Sequence, residues 1–268
     1  MIPKIGEQAE RCLAYIQCQL RQPRSRGATQ RPKAAITISR QTGSGALEVA
    51  QRLAAILETS FPTPEGQACP WVVFDRNLIE IVLEDHQLPR TLSQYFPEDR
   101  LSYLHSLVRE LLGLHPPTWT LYEHMVETIL KLADLGNVIL IGRGANVITA
   151  RLPHVFHVRL IGSLENRIRR ICEQTGMPPS EARKFIEKED RGRARFVKER
   201  FGVNIDDPSL YHLVLNTDRF DLPHIATLIA ECVLNYWGIQ LPKPLTPSSE
   251  ESSPSNRKPS SSPLPMLF

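Results

Sequence analysis

The chain has 268 residues, of which 41% are hydrophobic and 23% charged, and its formal net charge is +3. These fractions are typical of a globular protein with one large α/β domain or two small ones. So small a net charge argues against general attraction to nucleic acid or to a membrane surface. No stretch approaches the roughly 18 uninterrupted apolar residues of a membrane span, and the N-terminus lacks a signal-peptide core. We therefore expect a cytoplasmic protein without a membrane segment.

The cysteine pattern points to the same compartment. The chain has five cysteines, with no C-x-x-C motif and no ligand-like grouping with histidine: Cys12, Cys18, Cys69, Cys172 and Cys232. An odd, scattered set is more typical of reduced thiols than of disulfides or a zinc site. We expect the cysteines to be free.

The N-terminal segment, 1–33, is predicted to be separate from the main domain. Residues 4–20 have the pattern of a short amphipathic helix, and 21–33 form a basic linker without acidic residues. The linker is predicted to be solvated, with an arm that contacts phosphate or RNA as the alternative. Because no aromatic residues alternate with its arginines, stacking on bases is disfavoured, and we expect no nucleic-acid partner.

A buried strand, a glycine turn and a helix come next. Ala34 to Ile38 is a short apolar run, and apolar residues recur at helical spacing over 46–57. Between them, Gly43, Ser44 and Gly45 predict a tight turn, in which glycine allows positive φ. Such a unit directs backbone N–H groups and a helix N-terminus at one point, which attracts phosphate.

The turn departs from a P-loop in its two reactive side chains. A P-loop reads G-x-x-x-x-G-K-[ST], with lysine on the β- and γ-phosphates and the hydroxyl on Mg²⁺. Here Ala46 takes the lysine position, and Leu47 or Glu48 takes the hydroxyl position. Arg40, where the strand meets the turn, is the nearest cation that could replace the lysine. The alternatives are a connection without a ligand and, for Arg40, a structural ion pair with Asp75.

Four more apolar strands alternate with helices along the chain. The strands are predicted at 71–74, 138–141, 155–160 and 212–215, and the helices at 78–132 (broken by prolines), 164–175, 180–200 and 222–237. This alternation predicts an α/β fold, a parallel sheet of five strands with helices on both faces. The last segment, 241–268, has 7 Pro and 8 Ser and is predicted to be disordered, with an unknown protein partner.

Charged side chains follow three of the predicted strands. Arg40 ends the first strand, Asp75 the second, and Arg143 lies in the Gly142-Arg143-Gly144 turn after the third. Because ligands of parallel sheets bind outside the carboxyl ends of the strands, these groups are expected to converge. This convergence favours a nucleotide site over a plain turn.

A basic segment lies in the second half of the chain. Residues 159–200 contain twelve Arg or Lys and seven Asp or Glu. On a helix, Lys188, Arg191 and Arg195 share one face. A solvated face crossed by glutamates is one interpretation. A clamp over phosphoryl groups is the other, because arginine forks match phosphate oxygens.

The motifs ITISRQTGSG, FDR and IGRGANVI, and above all the segment at 186–217, resemble the cytidylate-kinase-like family of P-loop proteins. The resemblance implies the P-loop NTPase fold of a nucleoside monophosphate kinase over 34–240. By resemblance, 78–130 is a helical insertion that binds the monophosphate and 165–205 is the lid region. The lid motif D-R-D-R-N-R becomes D-R-G-R-A-R at 190–195, which keeps all three arginines and places Gly192 where the family reads cytosine.

The resemblance also implies roles for single residues. ATP with Mg²⁺ would donate its γ-phosphoryl group to CMP or a related nucleotide. The glycine turn at 43–45 would bind the donor phosphates, and Arg40 would replace the lysine. Arg143 and Lys188 would hold the acceptor nucleotide, Arg191 and Arg195 would close over the transferring group, and Asp75 is a candidate for Mg²⁺ on the acceptor side. A regulatory protein that binds a nucleotide without efficient transfer is the alternative.

Overall fold

A computed structural model describes residues 11, 12, 14, 15, 18, 34–60, 69–75, 108 and 120–239. Its centre is a sheet of five parallel strands in the order β2-β3-β1-β4-β5. The strands are β1 (Ala35–Arg40), β2 (Val72–Phe74), β3 (Val138–Ile141), β4 (Val155–Ile161) and β5 (Leu213–Asn216). The α/β fold with five parallel strands predicted from the alternation is confirmed.

Six helices accompany the sheet within the long described ranges. They are α1 (Ala46–Ser60), α2 (Thr120–Leu135), α3 (Ala145–Ile148), α4 (Leu164–Thr175), α5 (Pro179–Phe201) and α6 (Leu222–Tyr236). A 3₁₀ turn at Pro208–Leu210 precedes β5. The short α3 and this turn were not predicted. No helix of the described ranges is long and apolar enough to cross a membrane.

Strand β1 lies at the centre of the sheet because both of its faces can be buried. Ile36 and Ile38 face the helices α1 and α6, in one apolar cluster with β4 residues such as Val158. Ala35 faces the other side, where α2 and residues of the N-terminal segment such as Tyr15 pack. Its carboxyl end therefore delivers Arg40 to the middle of the sheet's edge.

Helix α1 follows its predicted pattern. The six positions predicted to face the core are all buried: Ala46, Val49, Ala50, Leu53, Ala54 and Leu57. Helix α4 begins at the predicted residue, where the Ser163 side chain accepts from the Asn166 N–H, and ends at Gly176 with φ of 73°. The cap and the left-handed glycine stop the helix at both ends.

The expectation that all five cysteines are free is wrong. Cys18 and Cys69 form a disulfide, with their Cα atoms 5.5 Å apart, while Cys12, Cys172 and Cys232 are free thiols. Spacing in the sequence could not reveal the pair, because it depends on how the N-terminal segment packs beside the residues before β2.

Several predicted segments lie wholly or mostly outside the described residues. These are the linker 21–33, the helical insertion up to residue 119 apart from Val108, and the tail 241–268. Their boundaries as domains, and the disorder of the tail, remain predictions. The segment expected to be the lid region, 165–205, is described and consists mainly of α4 and α5.

Candidate functional site

The turn after β1 needs glycine at two positions. Gly43 has φ of 78° and Gly45 has φ of 82°, as expected from the sequence. A Cβ at Gly43 would lie 2.6 Å from the Arg167 carbonyl oxygen, and a Cβ at Gly45 would lie 2.6 Å from Cδ1 of Leu222. Both glycines are therefore required by conformation and by close packing on α4 and α6.

Ser44, between these glycines, is only 1% exposed. Its N–H donates to the Gln41 carbonyl at 3.2 Å, while its Oγ is buried without a hydrogen-bond partner among the described atoms. A buried hydroxyl is normally satisfied, and leaving one unpaired costs about 1–3 kcal/mol. The unpaired Oγ therefore fits a turn that receives a polar ligand.

Arg40 lies between two turns. Its guanidinium packs directly on Gly142, in space that a Cβ there would fill. Burial, and then the charges of Arg193 and Arg143, lower the pKa of Arg40 to about 10. Asp75 raises this pKa, so its carboxylate acts on the same guanidinium. The pKa of Arg40 therefore falls mainly because its guanidinium is removed from water, with Arg193 and Arg143 adding to the fall and Asp75 and Glu189 opposing it.

Arg143 has a strained backbone. Its φ is 55°, and its neighbours Gly142 and Gly144 have φ of 82° and 69°. A non-glycine residue in this region costs about 1–3 kcal/mol and is kept where the surroundings hold it for a purpose. Phe201 packs against Gly144 where a Cβ would otherwise lie. The turn thus presents the Arg143 side chain to the edge of the sheet.

A cavity of about 470 Å³ opens at this edge. Six cationic side chains and one carboxylate are among the described residues that line it: Arg40, Arg143, Lys188, Arg191, Arg193, Arg195 and Glu189. Gly192 and Phe196 complete the described lining. The structure therefore brings together five of the predicted site residues, from β1, from the turn after β3 and from α5.

The remaining predicted residues do not belong to the described lining of this cavity. Among the described lining residues are neither Asp75 nor the turn at 43–45. Thr42, just before the turn, is joined to α5 by the carboxylate of Asp190, which accepts from its N–H at 2.8 Å and from its Oγ1 at 2.7 Å. The glycine turn and the cavity are thus connected through α5.

Five residues of this connection were not predicted as site residues from the sequence: Thr42, Arg167, Arg170, Asp190 and Arg193. The Arg167 guanidinium donates to the Thr42 carbonyl at 3.2 Å and to Asp190 at 2.6 Å. Arg170 donates to the Gly43 carbonyl at 3.4 Å and to the Thr217 carbonyl at 2.6 Å. One signal was available, since Asp190 is an acid inside the most basic run of the chain. Nothing in the pattern marked Arg167 as buried.

A row of polar side chains fixes the strand ends next to the site. Arg159 on β4 is 4% exposed, donates to Ser39 Oγ at 2.8 Å and forms an ion pair with Asp206. Two residues earlier on both strands, Nδ1 of His157 lies 2.8 Å from Oγ1 of Thr37. Burial, and then the charge of His212, lower the pKa of His157 to about 4. These contacts hold β1 and β4 in register up to Arg40.

Comparisons with known proteins agree with this architecture. A family model described as the cytidylate kinase-like family matches residues 35–219. The chain is 36% identical over 98 residues to a cytidylate kinase of Methanopyrus kandleri, which is 34% of this chain and 51% of that protein. It is 34% identical over 95 residues to a cytidylate kinase of Methanoculleus marisnigri, which is 35% of this chain and 50% of that protein. The chain thus spans about half the length of these curated relatives.

A solved structure shows the same fold. It is an uncharacterized protein of Eubacterium ventriosum, with a TM-score of 0.58 and 17% identity. The match covers 76% of this chain and 99% of that one. At this identity the match concerns the fold alone.

Proposed function

The chain belongs to the cytidylate kinase-like family, and from this premise we propose that it transfers the γ-phosphoryl group of ATP to CMP or a related nucleoside monophosphate. The observation that carries the proposal is the cavity whose described lining has six cationic side chains and one carboxylate. Phosphoryl transfer depends mainly on positioning and on neutralising charge. A cavity with this lining at the carboxyl edge of a parallel sheet supplies both.

The cationic residues divide by the elements that carry them. Arg143 enters from the turn after β3, and we assign it, with Lys188 of α5, to the phosphate of the acceptor. Arg40 lies between the two turns, on the side where the γ-phosphoryl group would lie. Arg191 and Arg195 line the cavity from α5 and would neutralise the charge that develops during transfer.

The transfer itself needs no covalent intermediate on the protein. An oxygen of the acceptor phosphate attacks the γ-phosphorus of ATP, and the bond from that phosphorus to the β–γ bridging oxygen breaks. The products are ADP and a nucleoside diphosphate. Arginine forks are suited to the reacting oxygens because each can donate two parallel hydrogen bonds.

The donor phosphates fit the glycine turn. Ser44 has a buried hydroxyl without a described partner, and α1 begins directly after the turn with its N-terminus toward the same edge. Mg²⁺ would enter with ATP, since it is often held by one or two carboxylates and by substrate phosphates. Asp75, whose charge acts on Arg40, is the carboxylate we assign to it. Among the described residues there is no group of three or more metal-binding side chains.

A second candidate is a regulatory protein that binds a nucleotide without efficient transfer. Two positions in the first turn of α1 favour it. Ala46 stands where a P-loop has lysine, and Glu48 supplies no hydroxyl and pairs with Arg52 at 2.9 Å. Loss of one preorganised charge-stabilising donor lowers rates by about 10²–10³.

One assay separates the two candidates. The full chain is incubated with ATP, Mg²⁺ and each of CMP, UMP, AMP and GMP, and diphosphate products are measured. Diphosphate formation that falls in Arg195→Ala and persists in Arg183→Ala supports transfer in the cavity, because exposed Arg183 is on the same helix outside the described lining. Nucleotide binding without any product supports the regulatory candidate.

A further inference from the structure

The carboxylate of Asp190 is surrounded by donors from three parts of the chain. Its Oδ1 accepts from the N–H and the Oγ1 of Thr42, and Arg193 donates to the same oxygen at 2.8 Å. Its Oδ2 accepts from Arg167 at 2.6 Å. One half-buried anion thus receives a backbone N–H, a hydroxyl and two guanidinium groups.

This donor set has the composition of a phosphate site. Backbone N–H groups of a glycine-rich turn and arginine forks are what bind phosphoryl oxygens elsewhere in proteins. Although burial raises it, hydrogen bonds from Thr42, Arg167 and Arg193 hold the pKa of Asp190 below its ordinary value. Asp190 is therefore ionised at neutral pH, and the site binds an anion that belongs to the chain itself.

We propose that Asp190 occupies, in the absence of ligand, the position of a phosphoryl group at the glycine turn, and that a triphosphate must displace it. This inference rests on the proposed function, because it concerns the donor side of the same site. Two anions cannot share the same four donors, so the carboxylate and the incoming phosphate compete. Thr42, Arg167 and Arg193 would then donate to the phosphate instead of to the carboxylate.

The displacement would reach the acceptor cavity through α5. Asp190 lies on this helix between Lys188 and Arg191, both of which line the cavity. Releasing Asp190 breaks two of the hydrogen bonds between α5 and Thr42, and the third, from Arg193 to Thr42 Oγ1, is lost when Arg193 turns to the phosphate. The cations of α5 could then move together. Binding of the triphosphate would therefore change affinity for the acceptor, and by linkage the acceptor would change affinity for the triphosphate equally.

The test compares affinity for inorganic tripolyphosphate by calorimetry, in the full chain. Asp190→Asn keeps the shape and removes the competing charge, so we expect binding to tighten by about tenfold, within the range of coupling between sites. Glu199→Gln is the matched control, because it removes one negative charge from an exposed position of α5. The inference is overturned if Asp190→Asn binds more weakly than wild type, or no more tightly than the control.

A second measurement needs no variant. In the wild-type protein, the NMR signal of the Thr42 amide should shift on addition of tripolyphosphate, because its acceptor changes from carboxylate to phosphate. An unmoved signal at saturating tripolyphosphate contradicts the displacement. Tripolyphosphate has neither base nor sugar, so both results stand even if the protein transfers no phosphoryl group to nucleotides.

Discussion

The glycine turns after β1 and after β3 lie at the same edge of the sheet, but their polar groups have different surroundings. The turn after β1 is closed by the chain itself, since Asp190 accepts from Thr42 and Arg167 donates to the Thr42 carbonyl. The turn after β3 presents Arg143 to a cavity in which described cations outnumber carboxylates six to one. The two turns follow neighbouring strands, β1 and β3, with matching left-handed glycines.

The difference suggests an order of events. An acceptor phosphate would enter a cavity whose described lining has six cations and a single carboxylate, Glu189, whereas a donor phosphate meets a carboxylate already bound to the turn. Charge repulsion between that carboxylate and the incoming phosphate is strongest where water is excluded. The contrast predicts that substitutions around the turn after β3 weaken ligand binding. Substitutions around the turn after β1 should also change the free energy of unfolding.

The largest effect is expected at Arg143. Arg143→Ala removes a forked donor from the cavity, and the rate of phosphoryl transfer should fall by about 10²–10³. The rate of Arg143→Lys should lie between those of wild type and Arg143→Ala, because lysine keeps the charge and lacks the forked pair of donors. Initial rates with CMP test both variants. If the protein binds CMP without transferring a phosphoryl group, calorimetric titration with CMP takes the place of the rate measurement.

The control for this prediction is Arg169→Ala. Arg169 is exposed on α4, and its contact with Glu173 is 4.0 Å long. An equal loss in Arg143→Ala and Arg169→Ala would mean that the total charge of the surface matters and that the cavity does not.

At the first turn, Gly43→Val should destabilise the fold itself. The new Cβ would lie 2.6 Å from the Arg167 carbonyl oxygen, at φ of 78°. Overpacking and left-handed strain together should lower the free energy of unfolding by about 3 kcal/mol. Gly176→Val is the matched control, because Gly176 has φ of 73° but no atom within 4 Å of its Cβ position. Thermal melts of both variants separate backbone strain, which both share, from overpacking, which only Gly43→Val has. An equal fall in melting temperature would contradict the packing of the turn on α4.

The sequence predicted the elements better than it predicted the contacts between them. The burial pattern of α1 and the limits of β3 followed from apolar spacing alone. Arg40 and Arg143 were expected at one edge because parallel strands end there. The cations of α5 were expected over it from their shared helix face and from the family resemblance, and all five line one cavity. The bond from Thr42 to Asp190 joins positions 148 residues apart, and it depends on how α5 docks. No local pattern carries that information, and the same holds for the disulfide between Cys18 and Cys69.

Arg40 tests whether the two turns act as one site. On the phosphate interpretation, Arg40→Ala should weaken ATP binding by about tenfold or more and CMP binding much less, because charge-assisted hydrogen bonds contribute about 1.5–3 kcal/mol. Arg40→Lys should lie in between. Calorimetric titrations with both ligands measure the difference.

The competing interpretation is a structural ion pair with Asp75, whose charge raises the pKa of Arg40. In that case Arg40→Ala should lower the melting temperature of the ligand-free protein and reduce affinity for both ligands alike. Equal losses for ATP and CMP would therefore remove Arg40 from the donor site.

The smallest expected effect is the dependence of stability on pH at Asp190. Its pKa lies below the ordinary value of 3.8 in the folded protein, despite the opposing effect of burial. The folded state therefore releases this proton more readily than the unfolded state, and the hydrogen bonds of Asp190 stabilise the fold above pH 3.8. That contribution is lost as the pH falls from about 4 through the folded pKa. The charged groups that face this carboxylate are Arg167 and Arg193, and Glu189 is the neighbouring acid on α5.

His157 makes a separate contribution to the dependence of stability on pH, and this contribution must be subtracted. Its pKa is lowered to about 4 in the folded protein. As the pH falls, the unfolded state therefore binds a proton first, and the free energy of unfolding decreases from about pH 6.5 to about pH 4. Both wild type and Asp190→Asn contain this histidine, so the difference between their melting temperatures cancels it. We expect that difference to be constant between pH 5 and pH 7 and to shrink below about pH 4, as Asp190 becomes protonated. A difference that stays constant down to pH 3 would show that the charge of Asp190 does not hold α5 on the first turn, and the contrast between the two turns would then fail.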